Sequence, residues 1–195
     1  MTRIVLTGAP GAGKTSVAAA LARLHPQRLA HVPEAATQVY DRLGTRWDRL
    51  DAEGRREVQR RIYRLQLEQE DRLSREHPGR VLLLDRGTVD GSAYWPDGPE
   101  DYWRHVGTTH AEELARYDAV VWLQTCAAVG AYDGPASNAC RHEDPQTAVA
   151  AGQKVLAVWS AHPRLARVEA YPTFDEKLAA VEAALGRLGV FAERP

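Results

Sequence analysis

Five short apolar runs punctuate the chain, near residues 3–7, 29–33, 80–85, 118–124 and 165–170. Each is continuous rather than alternating, the pattern of a strand buried on both faces. Between them lie segments of helical periodicity at 14–24, 35–43, 53–76, about 88–116 in pieces, 146–161 and 173–188. Strand and helix in alternation predict an α/β fold in which a parallel sheet carries helices on both faces and binds ligands at the carboxyl ends of its strands. In the long segment 53–76, Val58, Ile62 and Leu65, with Leu73 further on, recur at helical spacing. Arg55, Arg56, Arg60, Arg61 and Arg64 share that segment with Glu53, Glu57 and Glu68, and are expected on its solvated faces in ion pairs. The stretch 126–145, rich in Gly, Ala, Asp and Asn, reads as a mobile loop.

Where the first run ends, the chemistry begins. Arg3-Ile4-Val5-Leu6-Thr7 leads directly into Gly8-Ala9-Pro10-Gly11-Ala12-Gly13-Lys14-Thr15, which fits the phosphate-binding pattern G-x-x-x-x-G-K-[ST]. A glycine-rich turn lets consecutive backbone N–H groups point at phosphate oxygens, and the following helix, opening through Ser16, adds its dipole. Lys14 is placed to bridge the terminal phosphates, and the Thr15 hydroxyl to hold Mg²⁺, a hard ion that prefers oxygen. The sequence therefore predicts a nucleoside triphosphate site, with ATP favoured because no N-K-x-D guanine motif is present; Asn138-Ala139-Cys140-Arg141 does not supply one.

Size and charge narrow the setting. With 195 residues and 44% hydrophobic content, the chain suits one domain, residues 1–195, with a sizeable core. A net charge of −1 gives no excess cation for a long nucleic-acid footprint. No apolar stretch approaches a membrane span and the N-terminus enters a strand at once, so the expectation is a cytoplasmic protein with a small-molecule partner and no membrane contact. Cys126 and Cys140 are expected to be free thiols, and the histidines show no metal-ligand spacing.

Further candidates sit at the other strand ends. Val81-Leu82-Leu83-Leu84 ends in Asp85, where a phosphate-loop protein needs an acid for Mg²⁺. Arg86 follows, either to clamp a phosphate or acceptor through its planar fork or to pair with a neighbouring acid. Glu34, after Leu29-Ala30-His31-Val32-Pro33, reads either as a base for an acceptor hydroxyl or as an acid favoured at a helix N-terminus. Arg141 is the one Lys or Arg between Arg116 and Lys154, a candidate lid cation for charge developing on the transferred group. Tyr40, Trp47, Tyr94, Trp95, Tyr102 and Trp103 either build a pocket for a planar acceptor or pack helices together.

Taken together, these motifs resemble the nucleoside- and nucleotide-kinase-like branch of phosphate-loop NTPases, most closely the small AAA-domain ATPases grouped with nicotinamide riboside kinase-type domains. The resemblance runs over nearly the whole chain. It rests on Gly8 to Thr15, Val32-Pro33-Glu34-Ala35-Ala36 with Tyr40, Leu84-Asp85-Arg86-Gly87 with Asp90 and Tyr94, Arg141 with Glu143, and Phe174 with Lys177. It implies a five-stranded parallel sheet in order 2-3-1-4-5, a lid near 126–145, and an acceptor site between helices at about 34–76 and 86–116. Glu34 also looks like the base that deoxynucleoside kinases keep at the second strand's tip. Arg86 directly after Asp85 departs from the Asp-Glu pair of motor-type AAA proteins. The expectation is a Mg-ATP-dependent kinase using Lys14, Glu34, Asp85, Arg86 and Arg141, with Thr15 and Asp85 as metal ligands. A nucleotide-dependent switch read by a protein partner and a polynucleotide end kinase stand as rivals.

Overall fold

The computed structural model describes residues 1–125 and 145–191. Five parallel strands, β1 Arg3–Gly8, β2 Leu29–Val32, β3 Val81–Asp85, β4 Ala119–Leu123 and β5 Leu165–Val168, form one sheet in the order β2-β3-β1-β4-β5. All four pairings are parallel. This is the phosphate-loop NTPase fold, and the strand order is the one that the resemblance implied.

Successive residues of a strand point to opposite faces, so one short apolar run feeds two cores. Ile4 and Leu6 pack with Leu83 and Val121 against helices α1 (Lys14–Leu24) and α8 (Phe174–Arg187). Val5 faces the other way with Leu82, Leu84, Val120 and Trp122, onto α7 (Pro145–Trp159) and the aromatic residues of α5 (Pro99–Val106).

Between β2 and β3 the chain forms α2 (Ala35–Leu43), a 3₁₀ turn at Trp47–Arg49, and the 25-residue α3 (Ala52–Glu76). Gly44 ends α2 in the left-handed conformation, and the Asp51 carboxylate caps α3 by accepting from Gly54 N at 2.8 Å. The stretch expected to be helical in pieces becomes α4 (Asp90–Ala93), α5 and α6 (His110–Ala115). Gly107 stops α5, and a Thr109–Glu112 capping box starts α6.

Helix α3 departs from the sequence reading. Val58 and Leu73 are buried, but Ile62 and Leu65 are half-buried, and much of its inward surface is polar: Gln59, Gln66, Gln69 and Glu70. Glu70, with no exposed surface, accepts from Arg116, Tyr117 and Gln66, which gives a buried acid the partners that it needs. The outer arginines do form ion pairs, Arg60 and Arg61 with Glu57, and Arg56 with Glu53 and with Asp97 beyond the helix. Arg55 instead lies over the Trp47 ring, 4.7 Å from its centroid, because the 3₁₀ turn carries that indole to the start of α3.

Candidate active site

The loop after β1 has the backbone that its glycines foretell. Gly8 has φ 135°, and a Cβ there would stand 2.2 Å from the Leu123 carbonyl oxygen on the neighbouring strand. Gly13 caps α1 at φ 82° and offers no side chain to the first-turn N–H groups; no acid sits in that turn either. Those N–H groups thus lack a side-chain acceptor, the arrangement that suits an anion. Lys14 is buried, and its Nζ donates to the Ala9 carbonyl at 2.9 Å. Lys177 of α8 brings a second lysine to the loop, its Nζ 3.3 Å from where a Cβ on Gly13 would sit.

Parallel register carries the two acidic strand ends to this loop. Leu6 is level with Asp85, so β3 ends beside the start of the loop. The Thr15 hydroxyl donates to Asp85 Oδ2 at 2.5 Å. Asp85 Oδ1 is buried with no hydrogen-bond partner among the described residues. Burial, and then the nearby Glu34 charge, push the Asp85 carboxyl above its usual range, against the opposing pull of Lys14, Thr15 and Arg86. A buried carboxylate with an open oxygen next to a hydroxyl is an all-oxygen donor set that fits a hard divalent cation such as Mg²⁺.

On the other side, Val32 is level with Leu84, and two residues beyond each of these positions Glu34 meets Arg86. Arg86 Nε donates to Glu34 Oε1 at 2.6 Å, and Nη1 donates to Asp90 Oδ1 at 3.0 Å and the Gly8 carbonyl at 3.2 Å. Glu34 Oε2 accepts from the Thr37 hydroxyl at 2.6 Å. Arg86 is itself at φ 74°, a conformation uncommon outside glycine, as the chain swings from β3 towards α4.

Asp90 is the residue of this network that sequence reasoning did not assign to the site, although it belongs to the motif after Asp85. Its Oδ1 also accepts from Thr7 at 2.6 Å, and its Oδ2 accepts from Gly87 N at 3.2 Å and Trp159 Nε1 at 3.0 Å. The signal available in the sequence was its position, four residues after Arg86 where a helix starts.

Beyond this network lies a cavity of about 130 Å³ between α2, α3 and the 86–102 segment. Its aromatic walls are Tyr40, Trp47, Tyr63, Tyr94 and Tyr102, and Pro10, Glu34 and Arg86 line it on the phosphate-loop side. The aromatic set thus divides: Tyr40, Trp47 and Tyr94 line the cavity, Trp95 and Trp103 are core residues, and Tyr102 is a core residue that also lines the cavity. Tyr63 joins the cavity without having been singled out, its hydroxyl donating to Glu113 at 2.8 Å. Arg141, Glu143, Cys126, Cys140 and the expected lid lie outside the described residues.

The sequence model of the AAA domain family matches residues 3–173. No curated protein matches the chain. Among solved structures, NadR protein in complex with NAD and AMP-PNP superposes with a TM-score of 0.65, and NadR protein in complex with NR with 0.68, each at 16% identity. Both alignments cover 100% of this chain and 51% of the NadR chain, so the chain spans about half the length of these structural relatives. At that identity the likeness establishes the fold.

Proposed function

The chain belongs to the AAA domain family, and from that premise we propose that it is a Mg-ATP-dependent kinase acting on a hydroxyl of a small, nucleoside-like or aromatic metabolite. The observation that carries this reading is the aromatic cavity beside the phosphate loop, lined by Pro10 of that loop together with Glu34 and Arg86. A concave organic site beside the phosphate loop is what transfer to a small acceptor requires.

The acceptor ring lies among Tyr40, Trp47 and Tyr94 with its hydroxyl towards Glu34. Glu34 orients that hydroxyl and takes its proton as the oxygen–phosphorus bond forms and the bond to the bridging oxygen of ADP breaks. Lys14 exchanges the Ala9 carbonyl for phosphate oxygens, and Arg86, locked between Glu34 and Asp90, keeps the base in place. Thr15 and Asp85 would hold Mg²⁺, which would supply positive charge against the phosphates. Arg141 supplies a further cation to the transferred group. Nicotinamide riboside is the first acceptor to try, because a protein of this fold has been solved with NR.

The test is mass spectrometry of nicotinamide riboside, and then of a metabolite extract, incubated with the protein, ATP and Mg²⁺, with Lys14→Ala as the control. A metabolite that gains one phosphate with the wild type only is the expected result. ADP formed with no phosphorylated metabolite would overturn the reading in favour of a switch.

A further inference from the structure

Helix α3 presents Gln59, Ile62, Tyr63 and Gln66 to the cavity at i, i+3, i+4 and i+7, one stripe of its surface. Two of these side chains are already committed. Tyr63 donates to Glu113, and the Gln66 amide donates to Glu70 at 3.1 Å and to the Arg86 carbonyl at 3.3 Å. Gln59 differs: it is 4% exposed, it lines the cavity, and its side chain makes no hydrogen bond among the described residues. Its amide is not sealed in the core but faces the cavity, so an amide that makes no bond to its own chain there is suited to a partner that arrives with a ligand.

Space in front of the amide is maintained by Gly91. A Cβ there would stand 2.5 Å from Tyr102 Oη and 3.2 Å from Gln59 Oε1, so any side chain would crowd the position that faces the amide. The flanking walls are rings set edge-on to one another, Tyr63 against Tyr102 and Trp47 against Tyr94, which favour a flat guest. Glu34 and Arg86 line the same cavity, with Pro10 of the phosphate loop.

We propose that Gln59 is the specificity-determining residue of this cavity, reading an adjacent donor and acceptor on an uncharged edge of a planar ring: a carboxamide, a lactam or an amino-substituted heterocycle edge. A primary amide offers one acceptor and two donors in a plane, so it pairs in bidentate fashion with such an edge. The ring is then held at the Gln59 end with its hydroxyl-bearing substituent directed to Glu34. This deepens the kinase reading, and rests on it only for what happens to the ligand after binding.

The test is isothermal titration, without nucleotide, of two matched pairs: nicotinamide riboside against pyridine riboside, and adenosine against purine riboside. The wild type is expected to bind the edge-bearing member of at least one pair about ten- to a hundredfold more tightly. Gln59→Leu is expected to remove that preference while leaving the bare-ring ligand and ATP bound as before. Gln59→Met, closer in shape and equally without hydrogen bonds, should do the same and guards against a packing defect in the leucine variant. A wild type that discriminates in neither pair, or variants that discriminate as well as the wild type, would overturn the inference. Gln59-dependent binding of a ligand that is then not phosphorylated would sustain it while removing the kinase reading, so the two can fail separately.

Discussion

At Arg86, backbone strain and buried charge meet in one residue. Its guanidinium lies between Glu34 and Asp90, and its backbone adopts φ 74°. Replacing it with alanine leaves two buried carboxylates facing one another without their cation, an effect of about 3–5 kcal/mol on stability. Glycine loses the same guanidinium but adopts a positive φ freely, so Arg86→Gly should be more stable than Arg86→Ala by about 1 kcal/mol and unfold at a higher urea concentration. Equal midpoints would mean that the backbone there is unstrained. Glu34 invites a gentler change. Glu34→Gln keeps an oxygen for Arg86 and places an amide N–H where the Thr37 hydroxyl can accept, but it cannot take a proton. Turnover should fall roughly a hundredfold or more with ATP affinity nearly intact. A small effect in steady-state kinetics would remove Glu34 from the role of base.

Strand β2 carries a pH response at the scale of an element. It sits at the sheet edge beside β3, and burial lowers the His31 imidazole below its usual value of 6.5. His31 Nε2 is buried with no hydrogen-bond partner among the described residues. The folded strand therefore resists a proton that the unfolded chain accepts. Its contribution is in place above pH 6.5 and is lost as the pH falls from there through the lowered folded value. His31→Gln should lose less stability than the wild type between pH 7 and pH 5, read from urea midpoints at both values. Parallel losses would show that His31 takes no part. Helix α3 is the complementary case: charged pairs outside and amides with Glu70 inside let a single helix serve the solvent, a buried network and a cavity wall.

For the molecule as a whole, ligand binding and folding are one equilibrium. The phosphate loop, α1, the end of β3 and the start of α4 are joined through Lys14, Thr15–Asp85 and Arg86–Gly8, so nucleotide bound there stabilises the folded chain as a unit. On the proposed function, ATP with Mg²⁺ at a hundred times its dissociation constant should add about 2.7 kcal/mol, a rise in Tm of about 5–10 °C for a chain of this size. Lys14→Ala should abolish most of that rise in a thermal-shift measurement. Should the variant retain it, the nucleotide is held by other groups. Among the described residues no helix is long and apolar enough to cross a membrane.

Much of this architecture was legible in the chain because its signals are local. Five continuous apolar runs separated by helical periods dictate an α/β layering whatever else happens, and Gly8 to Thr15 specify a loop conformation within eight consecutive residues. Strand ends shifted by no more than two residues, since sheet boundaries depend on where a neighbouring strand stops pairing. Other features depend on residues brought together from far along the sequence, and these only the tertiary structure decided. Glu34 reaches Arg86 because Val32 is in register with Leu84, and Asp90 becomes a hub because Thr7 and Trp159 converge on it from β1 and α7. Gln59 and Gln66 turn inward because α3 packs between β2, β3 and the aromatic helices; a helical period built on hydrophobicity scores such amides as surface. The sequence by itself determined the layers and the phosphate loop; packing decided which polar groups lie buried around the cavity, because burial is a property of neighbours and not of the residue.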